Sequence, residues 1–198
     1  ELRDGRIFYV PAYQRGYRWN EEQVKDLLDD LYNFASGKNE KLFYCLQPVI
    51  VKKINKDSDQ WRAIIKAHSQ IDQEKEIYEV VDGQQRLTTL YILLQYIIEK
   101  ASDEDKEDEQ KSMYNLIYET RIEMACFLEN IATKTKDDVT DIDRKHAFDA
   151  YQYIDEWVMT KKTAQLKAST IRSKLALLLC QDKETKESCG SLQVVWYE

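Results

Sequence analysis

The sequence predicts an α+β fold, in which a mixed front half of strands and helices precedes an all-helical back half. Three features lead to this prediction. Short apolar runs bounded by turn-forming or polar residues occur before residue 83, and such runs are typical of buried strands. Apolar residues at helical spacing dominate after residue 112. Between them, residues 87–98 form a charge-free apolar segment that is too short to cross a bilayer.

The first predicted elements are a strand and a capped helix. The apolar run Ile7–Val10 ends at Pro11, which indicates a strand followed by a turn. Asn20 can cap the next helix, and Gln23 stands three residues later, as in a capping box. Apolar residues recur at helical spacing until Gly37, so we expect one amphipathic helix over this range.

The middle of the chain predicts further strands and a buried helix. Residues 42–54 predict one or two strand pieces, and residues 76–81, EIYEVV, predict another strand. Residues 56–76 are polar and mixed, so we expect a hairpin or a loop excursion in which His68 is solvated. Residues 87–100 predict a helix that is apolar nearly all round. Such a helix is buried on most faces, inside the chain or between copies of it, so a homo-oligomer stays open.

The back half predicts helices and a last strand. Residues 113–131 and 162–180 each repeat apolar side chains at helical spacing. Asp141 or Asp143 can cap a further helix between them. Residues 192–198, LQVVWYE, predict a strand that pairs with the first sheet or begins a further part of the protein.

Charge and cysteine content narrow the function classes. The 198-residue chain has a net charge of −7 and a pI of about 5.1, which disfavours a non-specific grip on DNA by the whole surface. Residues 1–19 nevertheless carry four arginines against two acids. The four cysteines and two histidines show no metal-ligand spacing. We therefore expect reduced thiols in a cytoplasmic protein and no zinc site.

The segment Val80–Leu90, VVDGQQRLTTL, combines residue types that suit an anion site. Gly83 permits a left-handed turn, and the helix after it begins with unpaired N–H groups and the positive end of its dipole. Arg86 adds a bidentate donor for phosphate or carboxylate, and Asp82 can bond the turn or hold a metal-bound water. The residue types also fit an Asp–Gly turn with a structural salt bridge, and both interpretations stay open.

A second segment contains several aromatic and basic residues close together, just before the capped helix. It is Val10–Gln23, VPAYQRGYRWNEEQ. Aromatic side chains interleaved with arginines suit stacking on bases and contacts to phosphates. The alternative is structural, with Tyr17 and Trp19 in the core and the arginines paired to surface acids. The residue types do not decide between these interpretations.

Together the two segments resemble the N-terminal domain of GmrSD-type restriction enzymes, which is related to the ParB and sulfiredoxin-like nucleotide-binding fold. The first segment resembles the pattern (I/V)PxYQRxYxW, and VVDGQQRLTTL follows at a distance. Weaker similarity extends to LLDDL, YETRIEMACFLENI and VVWYE. The stretch LQPVIV at residues 46–51 departs from the pattern, because many relatives have a glycine-containing LGxIV strand there.

The resemblance implies a small mixed ParB/sulfiredoxin-like sheet with helices, followed by a helical subdomain. It implies a nucleotide-binding region at residues 1–100 and a helical extension at residues 101–198, before a separate C-terminal nuclease-type domain. The expected function is that of an Mg²⁺-dependent NTPase domain in a bacterial protein of modification-dependent restriction or phage defence. A nucleoside triphosphate is the expected ligand, DNA is an expected partner of the full-length protein, and no membrane is expected to take part. This segment alone is not expected to cleave DNA.

The same resemblance assigns roles to the motif residues. The expected catalytic residues are Asp82, Gln84, Gln85 and Arg86, and Asp82 is also the expected Mg²⁺ ligand. The expected contacts of the nucleotide and its phosphates are Tyr13, Gln14, Arg15, Gly83, Arg86 and Thr88. Tyr17 and Trp19 are expected to support this pocket.

Two alternatives stand beside an NTPase. In the first, the same pocket senses modified DNA without hydrolysis, through Tyr13, Gln14 and the arginines. In the second, the DGQQR motif only joins the sheet to its helix, and the domain serves as an assembly scaffold. Replacement of Asp82 by alanine would then unfold the protein rather than abolish its activity in a folded protein.

Overall fold

The computed structural model describes residues 6–37, 43–45, 49–68, 70–101, 113–162, 167–179 and 191–193. These ranges form an α+β fold, which confirms the predicted fold class. The strands are β1 (Ile7–Val10), β2 (Phe43–Cys45), β3 (Ile50–Lys53), β4 (Ile77–Asp82), β5 (Asn115–Tyr118) and β6 (Ser191–Gln193). The helices are α1 (Glu21–Ser36), α2 (Asp59–Ala67), α3 (Gln84–Glu99), α4 (Ile122–Glu129), α5 (Ile142–Lys161) and α6 (Ala168–Leu179).

The main sheet has β1 between two parallel neighbours. Among the described residues its strand order is β3-β4-β1-β5. Ile7 of β1 lies opposite Ile77 of β4 and Asn115 of β5, and β3 runs antiparallel to β4. All four residues of β1 are buried, as expected for a parallel strand whose two faces are both covered. Strand β6 pairs in parallel with β2 rather than with this sheet.

The two faces of the sheet belong to different cores. Phe8 and Val10 of β1 belong to a large core that includes α1, α3, α5 and α6, whereas Ile7 and Tyr9 belong to a smaller core that includes α2. Helix α3 is buried along most of its length, as the sequence predicts. Its apolar surface is covered within one chain, so its composition requires no second copy.

Two segments differ from the sequence prediction. Residues 113–131 were expected as one helix, but β5 occupies Asn115–Tyr118 and only Ile122–Glu129 is α-helical. Leu116, Ile117 and Tyr118 are consecutive buried residues that pair with β1, and this tertiary pairing outweighs their helical spacing. Residues 56–76 were expected as a hairpin or loop, but they contain helix α2.

Helix α2 also explains why the expectation for His68 is wrong. Ser58 caps the helix by accepting a hydrogen bond from the backbone N–H of Trp61, and Ile64 anchors it in the smaller core. His68 ends the helix and is only 2% exposed, not solvated. This burial lowers the pKa of His68, because a charged imidazolium would lose its hydration.

A partly exposed ion cluster joins α1 to α5. The carboxylate of Asp29 in α1 accepts hydrogen bonds from Trp157 Nε1 at 3.1 Å and from Lys161 Nζ at 2.8 Å, and Lys25 approaches it from the same helix. Burial alone raises the pKa of Asp29, but the hydrogen bonds from Lys161, Lys25 and Trp157 outweigh it and lower the pKa to about 2. The cluster fixes α5 against α1.

Other predictions concern helix ends and domain limits. Helix α1 has the predicted capping box, in which Asn20 and Gln23 bond each other's backbone N–H groups. Asp141 caps α5, as one of the two predicted residues. The division of the chain at residue 100 stays a prediction. Within the described ranges, no helix combines the length and apolar character needed to cross a membrane.

Candidate functional site

The strand–helix junction at Asp82–Arg86 has the left-handed turn that its glycine predicts. Gly83 has φ of 89° and stands at the N-cap of α3. A Cβ at this position would lie 3.0 Å from both Cα and Cγ2 of Val49, so the chain passes close to β3 here. Asp82 ends β4 and is exposed, while Arg86 in the first turn of α3 is half-buried.

The N-terminus of α3 lacks the side-chain cap that α1, α2 and α5 have. Asn20, Ser58 and Asp141 cap those three helices through hydrogen bonds to backbone N–H groups. Gly83 offers no side chain, and the first turn of α3 contains no acid. No acidic side chain in the first turn of α3 therefore compensates the positive end of the helix dipole, and Arg86 lies in the same turn.

Gln84 adds a buried polar atom at the same helix end. Its side chain is only 3% exposed, and its Oε1 lies 3.3 Å from Gln85 Nε2. Its Nε2 has no hydrogen-bond acceptor in the part of the chain that the structure describes. Because a buried amide donor without an acceptor is costly, this atom calls for an acceptor beyond those that the described residues supply.

Gln85 and Gln14 join the two motif segments. Gln85 Oε1 accepts a hydrogen bond from the backbone N–H of Arg18 at 2.7 Å, and Gln85 Nε2 donates to the carbonyl of Gly16 at 2.9 Å. Gln14 Nε2 donates to the carbonyl of Val81 at 2.7 Å. The structure thus brings together residues 14–18 and 81–85, as the resemblance implies, through amide side chains.

Several of the expected site residues lie beneath this junction, in the core. The hydroxyls of Tyr17 and Thr89 are 2.8 Å apart, and Tyr17 is fully buried. The Thr88 hydroxyl is also buried and lies 3.2 Å from the hydroxyl of Tyr118. Trp19 is half-buried against the large core. These positions suit support of the junction, and a phosphate contact by Thr88 stays a prediction.

Tyr13 and Arg15 are the exposed members of the first segment. Tyr13 is 67% exposed, and its hydroxyl donates a 2.8 Å hydrogen bond to Glu79 Oε1. Partial desolvation and this hydrogen bond raise the pKa of Tyr13. Arg15 is exposed as well. Both side chains are accessible to a ligand.

Sequence reasoning missed Asp143 as part of this site. The Asp143 carboxylate is 7% exposed and pairs with the guanidinium of Arg18. Its other oxygen lies 2.6 Å from Arg121 Nε, so two arginines share one carboxylate. Asp143 directly follows the N-cap of α5. In the sequence, this position at a helix start was the one feature that drew attention to Asp143.

A cleft of about 580 Å³ opens beside this cluster. Its walls combine Arg18, Arg121 and Arg144 with the exposed side chains of Ile122 and Ile142. Arg144 pairs with Glu123 and with Asp141, so the charges around the cleft are largely balanced.

The junction fits a divalent cation only together with a ligand that carries oxygen atoms. Among the described residues, no group of three or more His, Cys, Asp or Glu side chains is arranged to hold a metal ion. Asp82 offers one exposed carboxylate. Mg²⁺ commonly binds through one or two carboxylates, water and substrate phosphates, and Asp82 suits that arrangement.

Comparison with known families identifies one that spans nearly the whole chain. The family model described as GmrSD restriction endonuclease, N-terminal domain, matches residues 1–193. The match includes both motif segments, the sheet and helices α1 to α6. A comparison with curated proteins gave no match.

Proposed function

The chain belongs to the family of GmrSD restriction endonuclease N-terminal domains, and from this premise we propose that its DGQQR junction binds and hydrolyses a nucleoside triphosphate. The observation that carries the proposal is the N-terminus of α3, which has no side-chain cap and no acid in its first turn. An anion there would satisfy the free N–H groups and the helix dipole.

The triphosphate would lie over the first turn of α3. Backbone N–H groups of this turn would donate to phosphate oxygens, and the guanidinium of Arg86 would balance their charge. Arg15, on the exposed side of the first segment, would approach from the opposite side. Asp82 would hold Mg²⁺ together with the phosphates, and the ion would supply further charge neutralisation.

The two adjacent glutamines would have different roles in hydrolysis. Both ends of the Gln85 amide are bonded to the backbone of residues 16–18, so Gln85 would shape the pocket. Gln84 Nε2 has no such partner among the described residues, which leaves Gln84 as the amide able to orient an attacking water. Rate enhancement would then come from positioning and from electrostatic stabilisation of the transferred phosphoryl group.

Calorimetric titration with each of the four ribonucleoside triphosphates and Mg²⁺ tests the proposal. We expect binding of at least one nucleotide, and a loss of about tenfold or more in affinity in Arg86→Ala, because a charge-assisted phosphate contact is removed. Arg62→Ala is the matched control, since Arg62 is an exposed arginine of α2 that pairs with Asp59. Unchanged affinity in a folded Arg86→Ala variant would contradict the proposed binding mode.

Hydrolysis needs a separate measurement. In Gln84→Leu we expect phosphate release to fall by at least tenfold, while nucleotide affinity changes less, because the leucine removes the water-orienting amide but keeps Arg86 and the helix end. Equal phosphate release by the variant and the wild type would exclude Gln84 from catalysis.

A DNA-sensing module without hydrolysis is the second candidate, and the exposure of Tyr13 and Arg15 favours it. An exposed aromatic ring beside an arginine can stack on a base and contact a phosphate. The net charge of −7 opposes it. This candidate predicts binding to modified duplexes that weakens steeply with salt, and no stabilisation by nucleotides.

A purely structural junction is the third candidate, and the bonds of Gln14 and Gln85 favour it. It does not explain the exposed carboxylate of Asp82, or why Gln84 Nε2 has no acceptor among the described residues. It predicts that Asp82→Ala unfolds the protein. The nucleotide proposal predicts that Asp82→Ala folds normally and loses Mg²⁺-dependent binding, and thermal unfolding separates the two outcomes.

A further inference from the structure

We infer that Asp143 is a positioning residue that holds residues 14–18, here called the clamp loop, against the N-terminus of α3. The inference assigns a role in ligand binding to the back half of the chain, and its ligand-binding part rests on the proposed function. Asp143 belongs to α5, which lies more than a hundred residues beyond the clamp loop in the sequence.

The carboxylate of Asp143 has a partner on each of its oxygens. One oxygen bonds the guanidinium of Arg18 in the clamp loop, and the other bonds Arg121 Nε at 2.6 Å. Arg121 Nη1 lies 3.4 Å from the carbonyl of Gln14, at the start of the same loop. A carboxylate that is 7% exposed and shared by two arginines is held in one place, because moving it would leave buried charges unpaired.

Gly16 shows how closely the loop lies on this carboxylate. A Cβ at position 16 would stand 2.2 Å from both carboxylate oxygens of Asp143, so any side chain there would require the carboxylate or the loop to move. The glycine therefore permits the backbone of the clamp loop to lie directly against Asp143. This contact is independent of the ion pair with Arg18.

The opposite side of the clamp loop is held by Gln85 of α3. The Gln85 amide bonds the carbonyl of Gly16 and the N–H of Arg18, the two residues that also contact Asp143. The loop thus lies between a side chain of α3 and a side chain of α5. Displacing Asp143 would release one of the two surfaces that fix it.

The position of Arg15 makes this clamp relevant to ligand binding. Arg15 is exposed and lies in the clamp loop between Gln14, whose carbonyl faces Arg121, and Gly16, whose carbonyl is bonded to Gln85. An anchored loop presents the Arg15 guanidinium without a further loss of backbone conformational freedom on binding. A released loop would have to be ordered by the ligand, so affinity would fall although every ligand contact residue is present.

The test compares Asp143→Asn with the control Glu156→Gln, which makes the same charge-to-amide change at an exposed position of α5. The first readout is amide hydrogen exchange at Arg18, whose N–H is bonded to Gln85. The second is affinity for the four nucleoside triphosphates with Mg²⁺. We expect at least tenfold faster exchange at Arg18 and about tenfold weaker binding in Asp143→Asn, with exchange in the middle of α3 unchanged and the control like wild type.

A second variant keeps the inference testable if Asp143→Asn fails to fold. Arg18→Gln removes one partner of the carboxylate but leaves the pair with Arg121 intact. It should speed exchange at its own backbone N–H and weaken nucleotide binding in the same direction. A role of Asp143 in stability alone would lower the melting temperature of both variants without changing local exchange or the affinity of the folded protein.

The outcomes separate this inference from the proposed function. If wild type binds nucleotide and folded Asp143→Asn keeps both its affinity and its exchange rate at Arg18, the inference is overturned and the proposed function stands. If wild type binds none of the four nucleotides, the proposed function fails. Amide hydrogen exchange at Arg18 is then the only test of the positioning role of Asp143. Faster exchange at Arg18 then supports the clamp, and unchanged exchange overturns it.

Discussion

Replacing Gly83 by alanine tests the geometry of the strand–helix junction. Two separate costs follow from the structure. An alanine at φ of 89° must adopt the left-handed conformation, which costs about 1 kcal/mol. Its Cβ would also lie 3.0 Å from the Cα of Val49, and overpacking of this kind costs about 1–3 kcal/mol because backbone must move. We therefore expect the free energy of unfolding to fall by about 2–4 kcal/mol.

Urea and thermal unfolding, followed by circular dichroism, measure this loss. For a domain of this size each 1 kcal/mol shifts the melting temperature by about 2–4 °C, so the expected decrease is roughly 5–15 °C. Gly37→Ala is the matched control, because Gly37 caps α1 at φ of −74°, where an alanine is unstrained, and is exposed. It should change the melting temperature by no more than about 2 °C.

The comparison has a clear refuting result. If Gly83→Ala and Gly37→Ala have the same melting temperature, β4 does not enter α3 through a left-handed residue packed on β3. The close approach of Val49 would then be wrong. A decrease much larger than 15 °C would instead mean that the junction holds the sheet and the helical half together.

Three further predictions concern stability. For Asp29→Asn we expect a loss of about 2 kcal/mol at pH 7, because the carboxylate pKa of about 2 lies below its usual 3.8. A lowered pKa stabilises the fold above the unfolded value, so the difference from wild type should disappear as the pH falls from about 4 to about 2 in urea titrations. Burial lowers the pKa of His68 from 6.5, so unfolding free energy should fall as the pH drops below about 6.5, and His68→Gln should flatten this part of the profile. Tyr17→Phe should cost about 1 kcal/mol in urea unfolding, because it removes the buried hydrogen bond to Thr89; a loss below about 0.3 kcal/mol would contradict that bond.

Local signals in the sequence predicted the elements whose structure is locally determined. Asn20 and Gln23 form the predicted capping box, and the all-round apolar composition of α3 predicted its burial. Helix α2 could also have been predicted, because Ser58 precedes apolar residues at helical spacing. The polar residues around it favoured the prediction of a hairpin or loop instead.

Strand β5 could not be predicted in the same way. Its residues repeat at helical spacing with those of α4, and only the position of β1 beside them selects the extended conformation. The fold of this segment is decided by a partner far away in the chain, which no local pattern contains.

The candidate site was likewise predictable only in its local features and not in its tertiary contacts. The residue types of VVDGQQRLTTL were sufficient to predict a left-handed turn followed by a helix start, and the structure has both. Binding of an anion at this helix start stays a prediction. Asp143 was predicted as a possible helix cap only, because its pairing with Arg18 and its contact with Gly16 depend on how α5 packs. Tertiary contacts of this kind become visible only in the folded chain.

The pairing of β1 also has a consequence for how the protein folds during synthesis. Both neighbours of this strand come from residues 77–82 and 115–118, so neither can reach it by a local turn. At translation rates of about 5–20 residues per second, Tyr118 follows Val10 by roughly 5–20 s. During that time this strand, which is fully buried in the folded protein, has no complete sheet to join. Parallel pairing over such separations slows folding, and we expect refolding to be slow and to depend strongly on protein concentration through aggregation.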